Sequence, residues 1–259
     1  MRIVIPNLIT VLAICAGLTG IRLGFEGRFQ LAVGMVLLAA FLDGIDGRVA
    51  RMMKGTSKFG VQMDSLADIV NFGVAPALVL HAFILHEARG IGWIAALLYA
   101  IACCLRLARF NVMTEAPRRP VWQSDYFVGV PAPAGALIVL LPVYLGFLGL
   151  EPGHPQALFV SAYVVLVAFL MVSRLPVYNG KLAGSRIRRD RVMPLILLVV
   201  LYAALLMSYT WETLTATVLA YFVLIPLSLR AWKRRYAEDL LAMGKSDGKR
   251  PDGTGQSGS

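Results

Sequence analysis

The stretch DGIDGRVARMMKGTSKFGVQMDSLAD, residues 43–68, sets four carboxylates, Asp43, Asp46, Asp64 and Asp68, into an otherwise apolar region, with Gly47, Ala50, Arg51 and Gly60 between them. On helices, the three-residue spacing of Asp43 and Asp46 and the four-residue spacing of Asp64 and Asp68 each place a pair on one face. The connection from Arg51 to Gly60 is short enough to make the two helices antiparallel neighbours, so the acidic faces can meet. A carboxylate in apolar surroundings is costly unless it is paired or binds a cation. Four converging acids therefore read as a site for divalent metal. An all-oxygen donor set, with no His or Cys nearby, suits Mg²⁺ or Mn²⁺ better than zinc. The competing readings are ion pairs with Arg48, Arg51 or Arg106, and a cation channel or proton relay.

The sequence around this stretch is that of a membrane protein. Of 259 residues, 58% are hydrophobic and 15% charged, and the mean hydropathy is +0.70, well outside the soluble average. The pattern predicts an all-α integral membrane protein with about eight spans, near 7–25, 29–51, 60–85, 91–111, 131–150, 156–173, 193–209 and 213–230. With the N-terminus inside, only Arg22, Arg28 and Arg89 of the 25 Lys and Arg fall toward the opposite side. Both termini and the acidic site are then expected to be cytoplasmic, and in a bacterium the membrane would be the inner or plasma membrane. The net charge of +10 is spread along loop edges rather than over a soluble domain with interleaved aromatics. It points to anionic lipid headgroups, not nucleic acid. Cys15, Cys103 and Cys104 sit in apolar spans without ligand or disulfide spacing, as small packing residues.

A membrane site with this donor set suits phosphoryl chemistry on a diphosphate. Two cations about 3.5–4 Å apart neutralise charge during in-line displacement, and a spare carboxylate can take the proton of an attacking hydroxyl. The order of residues resembles the signature of the CDP-alcohol phosphotransferases, D-x2-D-G-x2-A-R-x8-G-x3-D-x3-D, and matches it at every fixed position. The resemblance implies transfer of a phospho group from a CDP-linked donor to an alcohol, with release of CMP. It implies that Asp43, Asp46, Asp64 and Asp68 serve two Mg²⁺ or Mn²⁺ ions and that Asp68 is also the base. It further places Gly47, Ala50, Arg51 and Gly60 against the cytidine nucleotide, and implies a six-helix core that forms a homodimer.

Beyond the signature, Asp68-Ile-Val-Asn-Phe-Gly-Val-Ala-Pro-Ala resembles the phosphatidylserine synthase branch, with Asn71 where that branch has Ser. Segments Arg106–Asn111, Phe127–Ala134 and Leu170–Lys181 resemble the same branch. This implies CDP-diacylglycerol as donor and L-serine as acceptor. Other acceptors in the family are glycerol 3-phosphate, inositol phosphate and choline. Arg106 and Arg109, three apart near the end of span four, are candidates for the serine carboxylate or a lipid phosphate, or for interfacial snorkelling. Lys181 is a candidate for the lipid phosphate, and Asn111 for a helix cap. The expected division is a six-helix catalytic core over 1–192, two added helices over 193–235, and a polar, disordered tail over 236–259.

Overall fold

The computed structural model describes residues 4–52, 57–115, 126–150, 152–173, 176–178, 189–224 and 226. Lys181 and the tail over 236–259 lie outside them. Helices α1 (Val4–Phe25) and α2 (Phe29–Met52) form a tight hairpin. Its turn is closed by Gly27, at φ +76°, while Arg28 N–H returns to Leu23 O at 2.9 Å. Ala13, Ala16, Ala32, Val36 and Ala39 are buried between helices. Small side chains allow the close backbone approach on which helix association in lipid depends.

The third apolar run is not one regular helix. It comprises α3 (Lys58–Asp68), a π-helical turn over Ile69–Val74, and α4 (Ala75–Phe83). Ser57 caps α3, its Oγ accepting from Gly60 N–H at 2.9 Å, which leaves the chain extended before the helix starts. The π turn begins directly after Asp68. It loosens the ladder, and Tyr99 Oη donates to Phe72 O at 2.9 Å; such turns recur at functional sites. Asn71 within it is fully buried, and neither its Nδ2 nor its Oδ1 has a partner among the described residues. A Cβ on Gly17 of α1 would run into Asn71 Oδ1, so the glycine there makes room for the amide.

A short 3₁₀ turn (Leu85–Ala88) leads into α5 (Arg89–Glu115). Next among the described residues come β1 (Tyr126–Val128), α6 (Ala132–Val139), α7 (Leu141–Phe147) and α8 (His154–Val172). After these come β2 (Pro176–Tyr178), α9 (Arg189–Ser208) and a last helix, α10, over 210–224. Span five, expected as one helix over 131–150, is divided at Leu140. Pro142 in the first turn of α7 cannot continue the ladder of α6. The helical class holds with one addition the hydropathy pattern did not signal. Strands β1 and β2 pair antiparallel, Phe127 opposite Val177, and join two of the segments that carry the branch resemblance.

Five helices are long and apolar enough to cross a membrane, Ile5–Phe25, Phe29–Val49, Phe59–Phe83, Leu85–Met113 and His154–Val172. Shorter apolar helical stretches at Ala132–Phe147 and Val192–Ser208, with α10, occupy the other three expected spans. The central core includes Phe72, Leu80, Tyr99, Ile138, Tyr144 and Met171. Most of α9 is exposed apolar surface.

Candidate active site

Helices α2 and α3 bring the acids together as their spacing requires. One carboxylate oxygen each from Asp43, Asp46 and Asp64 lies within 4.8 Å of the others. Asp68, one turn further along α3, is not in that triad; its carboxyl faces that of Asp43 at hydrogen-bonding range. Asp46 is 2% exposed. Thr10 Oγ1 on α1 stands 2.7 Å from Asp46 Oδ2 and 3.1 Å from Pro6 O, and its single proton goes to the nearer, charged acceptor.

Asp43 Oδ1 and Asp46 Oδ1 are buried without a hydrogen-bond partner among the described residues. Among those residues the ion pairs are Arg22–Glu26 and His86–Glu87, so no arginine forms a direct ion pair with any of the four acids; the charges of Arg51 and Arg106 reach Asp64 and Asp68 only at longer range. This disfavours ion-pair glue. Unpaired carboxylate oxygens converging at this depth fit a bound cation, and the donor set is entirely oxygen. Asp43, Asp46 and Asp64 are the residues that would hold it.

A cleft of about 180 Å³ opens beside the triad, lined by Asn7, Thr10, Gly47, Arg51, Gly60 and Asp64 among others. A Cβ on Gly60 would come within 3.0 Å of Asn7 Oδ1 and 3.2 Å of Ser57 Oγ, whereas one on Gly47 would meet only Arg51 Nη1, at 3.7 Å. Gly60 thus lets α3 approach α1, and Gly47 leaves its side of the cleft open. Ala50 lies on α2, its side chain outside the described residues. The α1 wall, Asn7 and Thr10, was missed by sequence reasoning; the one available signal was a pair of polar residues three apart at the start of the first apolar run.

The two arginines of span four part company. Arg106 is 7% exposed and donates from Nε to Val130 O at 2.6 Å, with Asp68 within range of its charge. Arg109 donates from Nη1 to Val172 O at 2.7 Å, engaging a carbonyl that the end of α8 leaves without an intrahelical partner. Asn111 is not a helix cap, because α5 continues to Glu115. Its Nδ2 donates to Ser65 Oγ at 3.0 Å, tying α5 to α3 beside Asp64.

The family model for CDP-alcohol phosphatidyltransferase matches residues 3–173, and a second, CDP-alcohol phosphatidyltransferase 2, matches residues 191–226. The chain is similar to the CDP-diacylglycerol–serine O-phosphatidyltransferase of Mycobacterium tuberculosis, 35% identical over 91% of this chain and 82% of that one. It is likewise similar to the proteins of that name from Helicobacter pylori, at 35% over 84% and 87% of the two chains, and Methanocaldococcus jannaschii, at 32% over 70% and 77%.

Proposed function

The chain belongs to the CDP-alcohol phosphatidyltransferase family, and from that premise we propose that it is a membrane phosphatidylserine synthase. It transfers the phosphatidyl group of CDP-diacylglycerol to the hydroxyl of L-serine and releases CMP. The observation that carries the reading is the meeting of Asp43, Asp46 and Asp64 at the positions of the family signature, with Oδ1 of Asp43 and of Asp46 buried and unpartnered among the described residues. The names of the relatives, CDP-diacylglycerol–serine O-phosphatidyltransferases, support CDP-diacylglycerol and serine as the substrates.

The chemistry follows from the side chains. The serine Oγ attacks the lipid-side phosphorus; a new P–O bond forms, the bond from that phosphorus to the oxygen bridging to CMP breaks, and CMP leaves with that oxygen. Asp68 takes the proton of the attacking hydroxyl as general base. Asp43, Asp46 and Asp64, with Asp68 joining beside Asp43, are the residues that would hold two Mg²⁺ or Mn²⁺ ions. When bound, the metal supplies neutralisation of charge on the diphosphate oxygens. Gly47, Ala50, Arg51 and Gly60 flank the cytidine nucleotide; a side chain at Gly60 would crowd Asn7 and Ser57, and Gly47 leaves its side of the cleft open. Arg106 faces the acceptor beside Asp68. Arg109 supports the end of α8.

The asymmetry of Lys and Arg supports a cytoplasmic site, where a soluble amino acid and nucleotide meet a donor whose acyl chains stay in lipid. We further assign residues 1–192 to the catalytic core and 193–235 to an added helical pair, and the working form is a homodimer in contact with anionic lipid. Purified protein given CDP-diacylglycerol, Mn²⁺ and one alcohol at a time tests the reading: CMP appears with serine. CMP release only with glycerol 3-phosphate, inositol phosphate or choline would overturn serine as acceptor, and none with any alcohol would overturn the enzyme assignment.

A further inference from the structure

Helix α10 lies in the second matched segment, outside the one that carries the signature, yet its Tyr221 comes within charge-interaction range of Arg106. It is anchored on the core by Trp211, whose ring centroid is 4.4 Å from that of Phe147 and 6.4 Å from that of Tyr144, and by Phe222, 6.4 Å from Tyr163. Leu214 and Val218 are buried on the same side. These contacts fix α10 and carry Tyr221 inward, where its ring packs on the core. Its Oη is buried and has no hydrogen-bond partner among the described residues. Arg106 lies within charge-interaction range of both Tyr221 and Asp68.

Arg106 has complementary needs. Its guanidinium is buried, and Nε–H···O=C to Val130 is its one hydrogen bond among the described residues. The Nη groups keep four N–H donors for other acceptors. A buried guanidinium is tolerated where its donors are met and an anion stands nearby. The unpartnered phenol oxygen of Tyr221 is an acceptor in that neighbourhood. Serine brings to Asp68 a hydroxyl and, two bonds from the carbon that bears it, a carboxylate suited to a planar guanidinium.

We propose that Tyr221 is a substrate-positioning residue: its hydroxyl steadies the guanidinium of Arg106 opposite Val130 O, so that the remaining Nη edge holds the acceptor's carboxylate while its hydroxyl meets Asp68. The added helical pair thereby completes the acceptor side of the site. The inference rests on the assignment of serine above.

The test uses the full-length protein in detergent or vesicles, with KM measured separately for serine and for CDP-diacylglycerol. Tyr221→Phe raises the serine KM about tenfold, leaving the CDP-diacylglycerol KM and the melting midpoint close to wild type. Arg106→Lys raises the serine KM as well, and adding Tyr221→Phe to it brings little further loss, because the two act as one unit. A Tyr221→Phe enzyme with a wild-type serine KM overturns the proposal. So does a variant that loses both KM values and thermal stability together, which marks packing alone, and so do effects that multiply in the double variant. Should Arg106→Lys be inactive, the KM split of Tyr221→Phe decides by itself. Should wild type release CMP with a different alcohol, the functional assignment fails, and the same variants assayed on that alcohol still decide whether Tyr221 acts on the acceptor.

Discussion

Thr10 on α1 donates its hydroxyl proton to Asp46 Oδ2 on α2 across 2.7 Å, so the first helix, which carries none of the signature residues, orients one of its carboxylates. With one oxygen held, Asp46 keeps Oδ1 free for a cation. Partners of this kind set both the direction and the basicity of a ligand. Thr10→Val removes the donor at nearly constant volume and is expected to weaken Mn²⁺ binding about 10–100-fold. Titration calorimetry on the purified protein reads this directly, and an unchanged affinity would remove Thr10 from the site.

Metal dependence has a readout apart from turnover. A cation that binds only the folded protein raises its melting midpoint. Mn²⁺ or Mg²⁺ added after chelator treatment should raise the midpoint and restore CMP release together, and Asp43→Asn, Asp46→Asn or Asp64→Asn should abolish the rise. A rise that survives all three substitutions would place the cation elsewhere.

Asp68 stands outside the triad, facing Asp43. As the general base it is expected to contribute about 10²–10⁴-fold in kcat. Asp68→Asn should lose that factor, while the Mn²⁺-dependent rise in melting midpoint remains detectable. Near-normal turnover in this variant would assign the proton to another acceptor.

Arg109 engages the end of α8 through Val172 O at 2.7 Å. Arg109→Ala is expected to cost about 1.5–3 kcal/mol of stability, the range for a hydrogen bond from a charged group. Its serine KM should stay near wild type, in contrast to Arg106→Lys. A raised serine KM without loss of stability would return Arg109 to the acceptor site.

Gly17 makes room for the amide of Asn71 in the π turn after Asp68. Gly17→Ala is expected to destabilise by about 1–3 kcal/mol through overpacking, read as a lower melting midpoint. Asn71→Ser shortens the side chain and should recover most of the loss in the double variant. Independent, additive effects would show that the two residues do not meet.

The acidic pairs were legible because helical spacing converts position directly into facing, and because a short connection brings the third span back beside α2, which it meets through the π turn and α4 while α3 packs on α1. Hydropathy marked the membrane class for the same reason: lipid demands apolar length, and length is a linear property. The break at Pro142 was written in the chain but hidden within an unbroken apolar run. The π turn had no counterpart in periodicity, since it shifts hydrogen bonds without changing composition. The pairing of β1 with β2 involved three residues on each side, too few for an alternation to show.

By itself the sequence determined the membrane class, the four carboxylates and the chemistry they imply, because those depend on residue type and on spacing within one helix or between adjacent ones. The tertiary structure decided which residues from distant helices stand beside them. It put Thr10 on Asp46, gave Arg109 to the end of α8, tied Arg106 to Val130 O, and packed α10 on the core through Trp211. Contacts between residues 36 to 63 positions apart follow from how helices pack, and no local periodicity records them.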